Sequence, residues 1–280
     1  MAHTGWRVVI FSNIDVAANM VSNALRQQGH EPITVIAARR KNVTPGLSSI
    51  DADTVIPDTP IFIAENQKAA EQTLASLRPD LLLSWAYPWR LSGEALDLPR
   101  LGAINYHPSL LPRHRGPNPV AWTIRMDDHD YGGTWHRMLS TYDSGPLLAQ
   151  RSTPALDDDE PFSVFLRLTT LGQRMLRGVL ERVGDGDPGD PQALEGATEA
   201  GPFGDDYATI DWSLPARDVH RQIRAWSFTG GVHSVVGPVG EIDGKLVRVV
   251  RSSLLPPDSP AREIECRDAP IWILETEALD

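Results

Sequence analysis

"AENQKAAEQTLASLRPDLLLSW", residues 64–85, decides the architecture. Its first part, through Asp80, has the composition and spacing of a helix, and "LLLSW" (81–85) is a continuous apolar run of the kind found in a strand buried on both faces. The same alternation extends outward from it. "RVVIF" (7–11) predicts a strand, and "DVAANMVSNALRQQG" (15–29) a helix stopped by Gly29. "PITVIA" (32–37) and "GAIN" (102–105) predict further strands. "GGTWHRMLS" (132–140) and "GPLLAQRST" (145–153) predict a later pair joined by "TYDS", and Glu160 to Val183 a long amphipathic helix. Strands alternating with helices argue for an α/β fold, a Rossmann-like and mostly parallel sheet with helices on both faces.

The composition changes after Val183. "GDGDPGDPQALEGATEAGPFGDD" (184–206) holds six glycines and three prolines with no basic residue, the mark of a linker or wrapping loop. Beyond it, "LPARDVHRQIRAW" (214–226) predicts a helix. "KLVRVVRSSLL" (245–255) and "APIWILETEAL" (269–279) predict strands of a small β-rich domain, whose candidate core is Trp226, Val247, Val249, Ile271 and Ile273. The expected division is therefore an α/β domain over 1–183, a Gly/Pro-rich linker over 184–206 and a small C-terminal β-rich domain over 207–280.

Bulk properties narrow the setting. In 280 residues, 41% hydrophobic and 22% charged is an ordinary globular composition. The single cysteine, Cys266, excludes an internal disulfide and any Cys-based metal cluster. "MAHTGWRVVIF" lacks the pattern of a signal peptide, and no apolar run is long enough to span a membrane, so a cytoplasmic protein with no membrane partner is expected. The net charge of −11 disfavours extensive nucleic-acid contact, although a local basic patch such as Arg39-Arg40-Lys41 or Arg113/Arg115 can override an average.

The chemistry concentrates in "GAINYHPSLLPRHRGPNP" (102–119). In an extended segment residues i and i+2 point the same way, and a residue before proline is held extended, so Pro108 fixes His107 on the same side as Asn105. An amide donor beside an imidazole suits stabilising an oxyanion and handling a proton in acyl transfer. Asp143, in the "TYDSGP" turn, supplies the carboxylate that would orient His107 and favour its protonated form. Taken singly, N-x-H at a strand end is ordinarily a cap plus a surface histidine, and D-S-G is a common turn. Their combination carries the weight. His3, His30, His129, His220 and His233 have no ligand pattern around them, and His136 lies mid-strand. With no H-E-x-x-H, no clustered carboxylate pair and no G-x-G-x-x-G, neither a metal nor NAD is expected.

"INYHPSLLPRHRG" (104–116) followed by "YDSGPLL" (142–148) resembles the 10-formyltetrahydrofolate-dependent formyltransferases over roughly residues 7 to 180. "ATIDWSLPARDVHRQIRAW" (208–226) is similar to the segment that joins the two domains of methionyl-tRNA formyltransferases and nucleotide-sugar N-formyltransferases. "GKLVRVVRSSLL" and "REIECRDAPIWIL" resemble remnants of their C-terminal barrel. The resemblance makes 1–183 the catalytic domain and implies catalytic roles for Asn105, His107 and Asp143. It implies a formyl-donor pocket formed by Tyr87, Pro88, Trp89, Arg90 and Leu91 together with Leu139, Ser140, Thr141 and Tyr142, largely through backbone groups. Acceptor contacts would come from Ser109, Arg113, His114, Arg115 and Gly116, with the two arginines meeting an acidic group, although loop exposure explains His114 as well and solvated loop arginines are the more ordinary reading of that pair. Trp85 and Trp89 are equally candidates for plain packing, and His136 is shared with the glycinamide ribonucleotide formyltransferases.

The acceptor is the open question. Methionyl-tRNA formyltransferases follow their second strand with a basic, Gly-rich loop of the "PDRPAGRGKK" kind. The corresponding "AARRKNVTPGLSSIDADTV" (37–55) keeps three basic residues without that pattern, and the C-terminal region is short for a full barrel. A small-molecule amine, such as a nucleotide-linked amino sugar, is therefore the expected acceptor, with initiator tRNA the alternative. Formyl hydrolysis, glycinamide ribonucleotide formylation and a non-catalytic folate- or partner-binding role stay open, as does monomer against homodimer.

Overall fold

In chain order the elements of the computed structural model are β1 (Arg7–Phe11), α1 (Asp15–Gln27), β2 (Glu31–Ala38), β3 (Ile61–Ala64), α2 (Gln67–Leu77), β4 (Leu81–Trp85), α3 (Gly93–Leu96), β5 (Ala103–His107), α4 (Pro119–Arg125), β6 (Asp130–Arg137), β7 (Leu147–Pro154), α5 (Pro161–Gly184), α6 (Ala216–Ser227), β8 (Val239–Ile242), β9 (Lys245–Ser253), β10 (Arg262–Glu265) and β11 (Pro270–Ala278). The structure describes residues 5–39, 48–157, 159–229 and 235–279. Arg40 and Lys41 of the basic run, His3 and His233 lie outside the described residues.

A seven-stranded sheet runs in the order β3-β2-β1-β4-β5-β6-β7. Its β3 to β5 portion is parallel, and β6 and β7 are antiparallel to their neighbours. Side-chain alternation sorts the apolar residues onto two faces. Val8, Ile10, Leu81, Leu83, Ile104 and Tyr106 face α1 and α5, whereas Val9, Phe11, Leu82 and Ala103 face α2 and α3. Helix α1 buries Ala17, Ala18, Val21, Ala24 and Leu25, one stripe at helical spacing. The Asn66 side chain caps α2 by accepting from Ala69 N–H at 2.9 Å. On the α5 face, Trp85 packs against Tyr106 and Trp135 with ring centroids 4.1 and 5.3 Å away. Trp135 Nε1–H donates to Gly172 O of α5 at 2.9 Å.

The chain divides into two compact units, Met1–Gly116 with Asp130–Glu199, and Pro117–His129 with Ala200–Asp280. This grouping differs from the sequence-based division in that the expected linker is shared out, 184–199 to the first unit and 200–206 to the second, and 117–129 leaves the first unit. Residues 184–199 go with the sheet: Asp190 and Leu147 exchange backbone hydrogen bonds at 2.7 and 2.8 Å, and Arg182 pairs with Asp187 and Asp190. Residues 117–129 go with the C-terminal unit because α4 packs on α6. Within that unit Asn118 N–H donates to Ala200 O, Trp122 Nε1–H to Gly201 O, and Arg125 pairs with Asp206.

The second unit contains a four-stranded antiparallel sheet, β10-β11-β9-β8. Its core joins Ile210, Ala216, Val219 and Ile223 to Val249, Ile271 and Ile273, with Val247 half-buried against them. Trp226 turns elsewhere, to Phe203 at 5.3 Å and, through Nε1–H, to Tyr207 O. Among the remaining histidines, His30 stacks on Trp6, His220 bonds Ser252 Oγ and His129 is exposed.

Candidate active site

Strand β5 carries the sequence AINYH, and its alternation sends Ile104 and Tyr106 into the α5-side core. Asn105 and His107 therefore project from the opposite face, as the N-x-H spacing predicts. In the antiparallel β5–β6 pair Asn105 lies directly across from His136, so their side chains share that face, with Asn105 Nδ2 3.2 Å from His136 Nε2. Beyond β6 the chain turns through Asp143, which adopts φ 46, a left-handed conformation that Asp tolerates better than most residues. The turn is tight: a Cβ at Gly145 would collide with Arg137 O. It brings Asp143 Oδ2 to 3.5 Å from His107 Nδ1 and Oδ1 to 3.4 Å from His136 Nε2. Gly116 N–H also donates to Oδ2, at 2.9 Å. One carboxylate thus bridges two imidazoles.

The hydrogen bonds fix the tautomers. His107 Nε2 lies 2.8 Å from His114 O and His136 Nδ1 lies 2.8 Å from Arg137 O. A carbonyl only accepts, so both of those nitrogens carry hydrogen. In the neutral rings this leaves His107 Nδ1 bare toward Asp143 and His136 Nε2 bare toward the Asn105 amide. Burial of Asp143 would raise its carboxyl, but protonation of His107 and His136 places charge beside it and a His136 hydrogen bond on it, and these with the Gly116 N–H hold it well below the usual carboxylate range. His107 is only 5% exposed, and burial pushes its imidazole below the ordinary value. Asp143 raises it, the effect expected of a neighbouring carboxylate, without overcoming that burial.

Other predicted residues fall into distinct roles. Ser109 is buried and donates to Arg113 O at 2.7 Å. His114 is buried in a left-handed conformation, φ 58, and its N–H donates to Thr198 Oγ1. Arg115 donates from Nε and Nη2 to Gln192 Oε1, and Gly116 acts through its backbone. Arg113 is half-buried.

The two loops expected to form the donor pocket follow β4 and β6. Ala86 opens the first with φ 55, its carbonyl accepting from Asn13 N–H at 3.2 Å. Tyr87 and Trp89 meet edge to face at 5.9 Å, Leu91 is buried, and Pro88 and Arg90 are exposed. In the second loop Leu139, Ser140, Thr141 and Tyr142 are exposed, and the Arg90 guanidinium lies 5.3 Å from the Tyr142 ring centroid. The Tyr87 hydroxyl is buried without a hydrogen-bond partner, and burial raises its pKa well above the ordinary phenol value. Left-handed non-glycine residues at His114 and Asp143 both contact His107, as is common where function holds strained backbone in place.

Sequence reasoning left two residues out of this set. His136 carried only the likeness to glycinamide ribonucleotide formyltransferases, its place in the site being set by register opposite Asn105, and Gln192 gave no local signal. No helix among the described residues is long and apolar enough to cross a membrane, and no group of three or more His, Cys, Asp or Glu among them could hold a metal ion.

A methionyl-tRNA formyltransferase of Pseudomonas putida (strain W619) is 36% identical over 221 residues, 78% of this chain and 69% of the relative. Among solved structures, HypX from Aquifex aeolicus in complex with tetrahydrofolic acid superposes with TM-score 0.70 at 17% identity. The match covers 98% of this chain but only 44% of HypX. WlaRD, a sugar 3N-formyl transferase in the presence of dTDP and 5-N-formyl-THF, superposes with TM-score 0.66 at 15% identity over 98% of both chains. At these identities the two structures establish a shared fold. The formyl transferase family pattern itself runs over residues 6–180, taking in the strand end with Asn105 and His107 and the Asp143 turn. By that match, and by the identity shared with its curated relative, this chain belongs to the formyltransferase family of enzymes.

Proposed function

We propose that this enzyme moves a formyl group from 10-formyltetrahydrofolate to the primary amine of a small molecule, of which an amino sugar carried on a nucleotide is the leading class. The observation that carries the proposal is the Asp143 carboxylate bridging His107 and His136 beside the Asn105 amide. The folate supplies an activated one-carbon unit. The buried Tyr87 hydroxyl, without a partner among the described residues and beside Trp89, suits a flat heteroaromatic ring that brings its own hydrogen-bonding groups. Folate-bound neighbours of the same fold support this donor.

Each residue has a task. Arg137 O selects the His136 tautomer, and His136 Nε2 then accepts one N–H of the Asn105 amide. The second N–H of that amide donates to the formyl oxygen as negative charge builds there. His107 Nδ1 takes the proton that the attacking amine sheds, and Asp143 Oδ2 stabilises the resulting charge. The same pair returns the proton to the departing nitrogen as the carbon–nitrogen bond of the donor breaks.

A second acceptor has its own support. The sequence relative is a methionyl-tRNA formyltransferase, which favours initiator tRNA. The net charge of −11 and the missing Gly-rich basic pattern favour the small amine, as do solved neighbours named as sugar N-formyltransferases. The test is release of tetrahydrofolate from 10-formyltetrahydrofolate with nucleotide amino sugars, with charged initiator tRNA, and with no acceptor. Turnover confined to a small amine supports the proposal. Turnover confined to tRNA replaces it, and equal turnover without any acceptor makes the enzyme a hydrolase.

A further inference from the structure

We infer that Gln192, in the Gly/Pro-rich stretch after α5, is a positioning residue that locks the Asp143 turn onto the loop carrying His114 to Gly116. Its Nε2 donates to Asp143 O and to Gly145 O, each at 2.8 Å. Its Oε1 accepts from Arg115 Nη2 at 2.6 Å and from Nε at 3.2 Å. Arg115 lies between His114, whose carbonyl accepts from His107 Nε2, and Gly116, whose N–H binds Asp143 Oδ2. The contacts therefore close a ring, from the backbone of Asp143 through Gln192 and Arg115 back to its carboxylate. Gln192 joins the two sides of the ring and touches neither imidazole.

The turn needs such support. Asp143 holds φ 46, and inside the turn the side-chain bond is Ser144 Oγ–H to Thr141 O at 3.1 Å. With the two imidazoles at 3.5 and 3.4 Å, the short bond to the carboxylate is the one from Gly116 N–H at 2.9 Å, so its orientation depends on the loop that Arg115 shares. An amide suits the task because it donates to two carbonyls and accepts from a guanidinium at once. The segment that carries Gln192 is anchored separately, by the Asp190–Leu147 backbone pair and by Arg182 with Asp187 and Asp190. Removing the side chain therefore removes the clasp and leaves the segment in place.

The activity arm of the test rests on the proposed formyl transfer, so a second arm reads the site directly. Gln192→Leu keeps the size and loses every bond. Gln192→Glu keeps an acceptor for Arg115 but cannot donate to the carbonyls of Asp143 and Gly145. Both should lower kcat about tenfold to a hundredfold, the cost of a small misplacement of catalytic groups, with KM for the folate donor within about twofold of wild type. The site arm follows His107 by NMR of labelled histidine. The charged or titratable groups facing His107 are Asp143, His136 and His114. Of these Asp143 raises it, so a loosened turn should move its titration further toward acid pH. Both changes in both variants support the inference. Wild-type kcat and an unmoved His107 titration, with only a fall in Tm, overturn it, as does Gln192→Glu behaving as wild type. If wild-type protein transfers no formyl group, the shift of His107 still decides the matter for Gln192, and it is the proposed function that fails.

Discussion

At the scale of the residue, the site turns on a balance of burial and charge. On the proposed mechanism Asn105→Ala removes a donor to the developing oxyanion and should cost on the order of 10²–10³ in kcat while donor binding stays near wild type, read by steady-state kinetics and folate titration. His107 sits below its ordinary pKa because burial outweighs the Asp143 charge. The unfolded chain therefore binds this proton before the folded one does, and folding stability falls as pH drops below about 6.5. Thermal melts of His107→Gln between pH 5 and 7 should show a flatter pH dependence than wild type. Asp143 is depressed too, so its contribution is complete above the ordinary carboxylate range and is lost at lower pH. In Asp143→Asn the group that raises His107 is gone, and the acid limb of the residual kcat/KM should move to lower pH.

At the scale of the element, strand alternation and close packing decide where those residues point. Gly172 in α5 lies against the aromatic layer, where an added Cβ would be 2.5 Å from Trp85 and 2.7 Å from Tyr106. Gly172→Ala should therefore destabilise by about 1–3 kcal/mol, seen as a Tm lowered by several degrees. The strands β1, β4 and β5 and the helices α1, α2 and α5 were legible because each carries its own local signal, a short apolar run in the strands and a helical period in the helices. Pairing Asn105 with His107 followed from spacing and Pro108 alone. Short elements such as β3, α3, α4 and β10 lack enough residues to show a period, and α4 lay inside a stretch dominated by Pro and Gly signals. His136 escaped because antiparallel register, a property of two strands together, put it opposite Asn105. Gln192 escaped because its contacts at positions 115, 143 and 145 are distant in sequence.

At the scale of the whole molecule, the site lies within one compact unit, and Asn105, His107, His136, Asp143 and Gln192 all belong to it. The net charge of −11 bears on the acceptor. If a tRNA were the partner, affinity would fall steeply with salt; a small amine should show a KM that changes little between 50 and 200 mM salt, since few phosphates are being neutralised. The most direct measurement is single-turnover release of tetrahydrofolate from 10-formyltetrahydrofolate by wild type and Asn105→Ala, with and without an amino-sugar nucleotide. Amine-dependent release by wild type, reduced on the order of 10²–10³ in the variant with donor affinity unchanged, is the predicted result. Equal release by the two proteins would contradict a transferase centred on Asn105, His107 and Asp143.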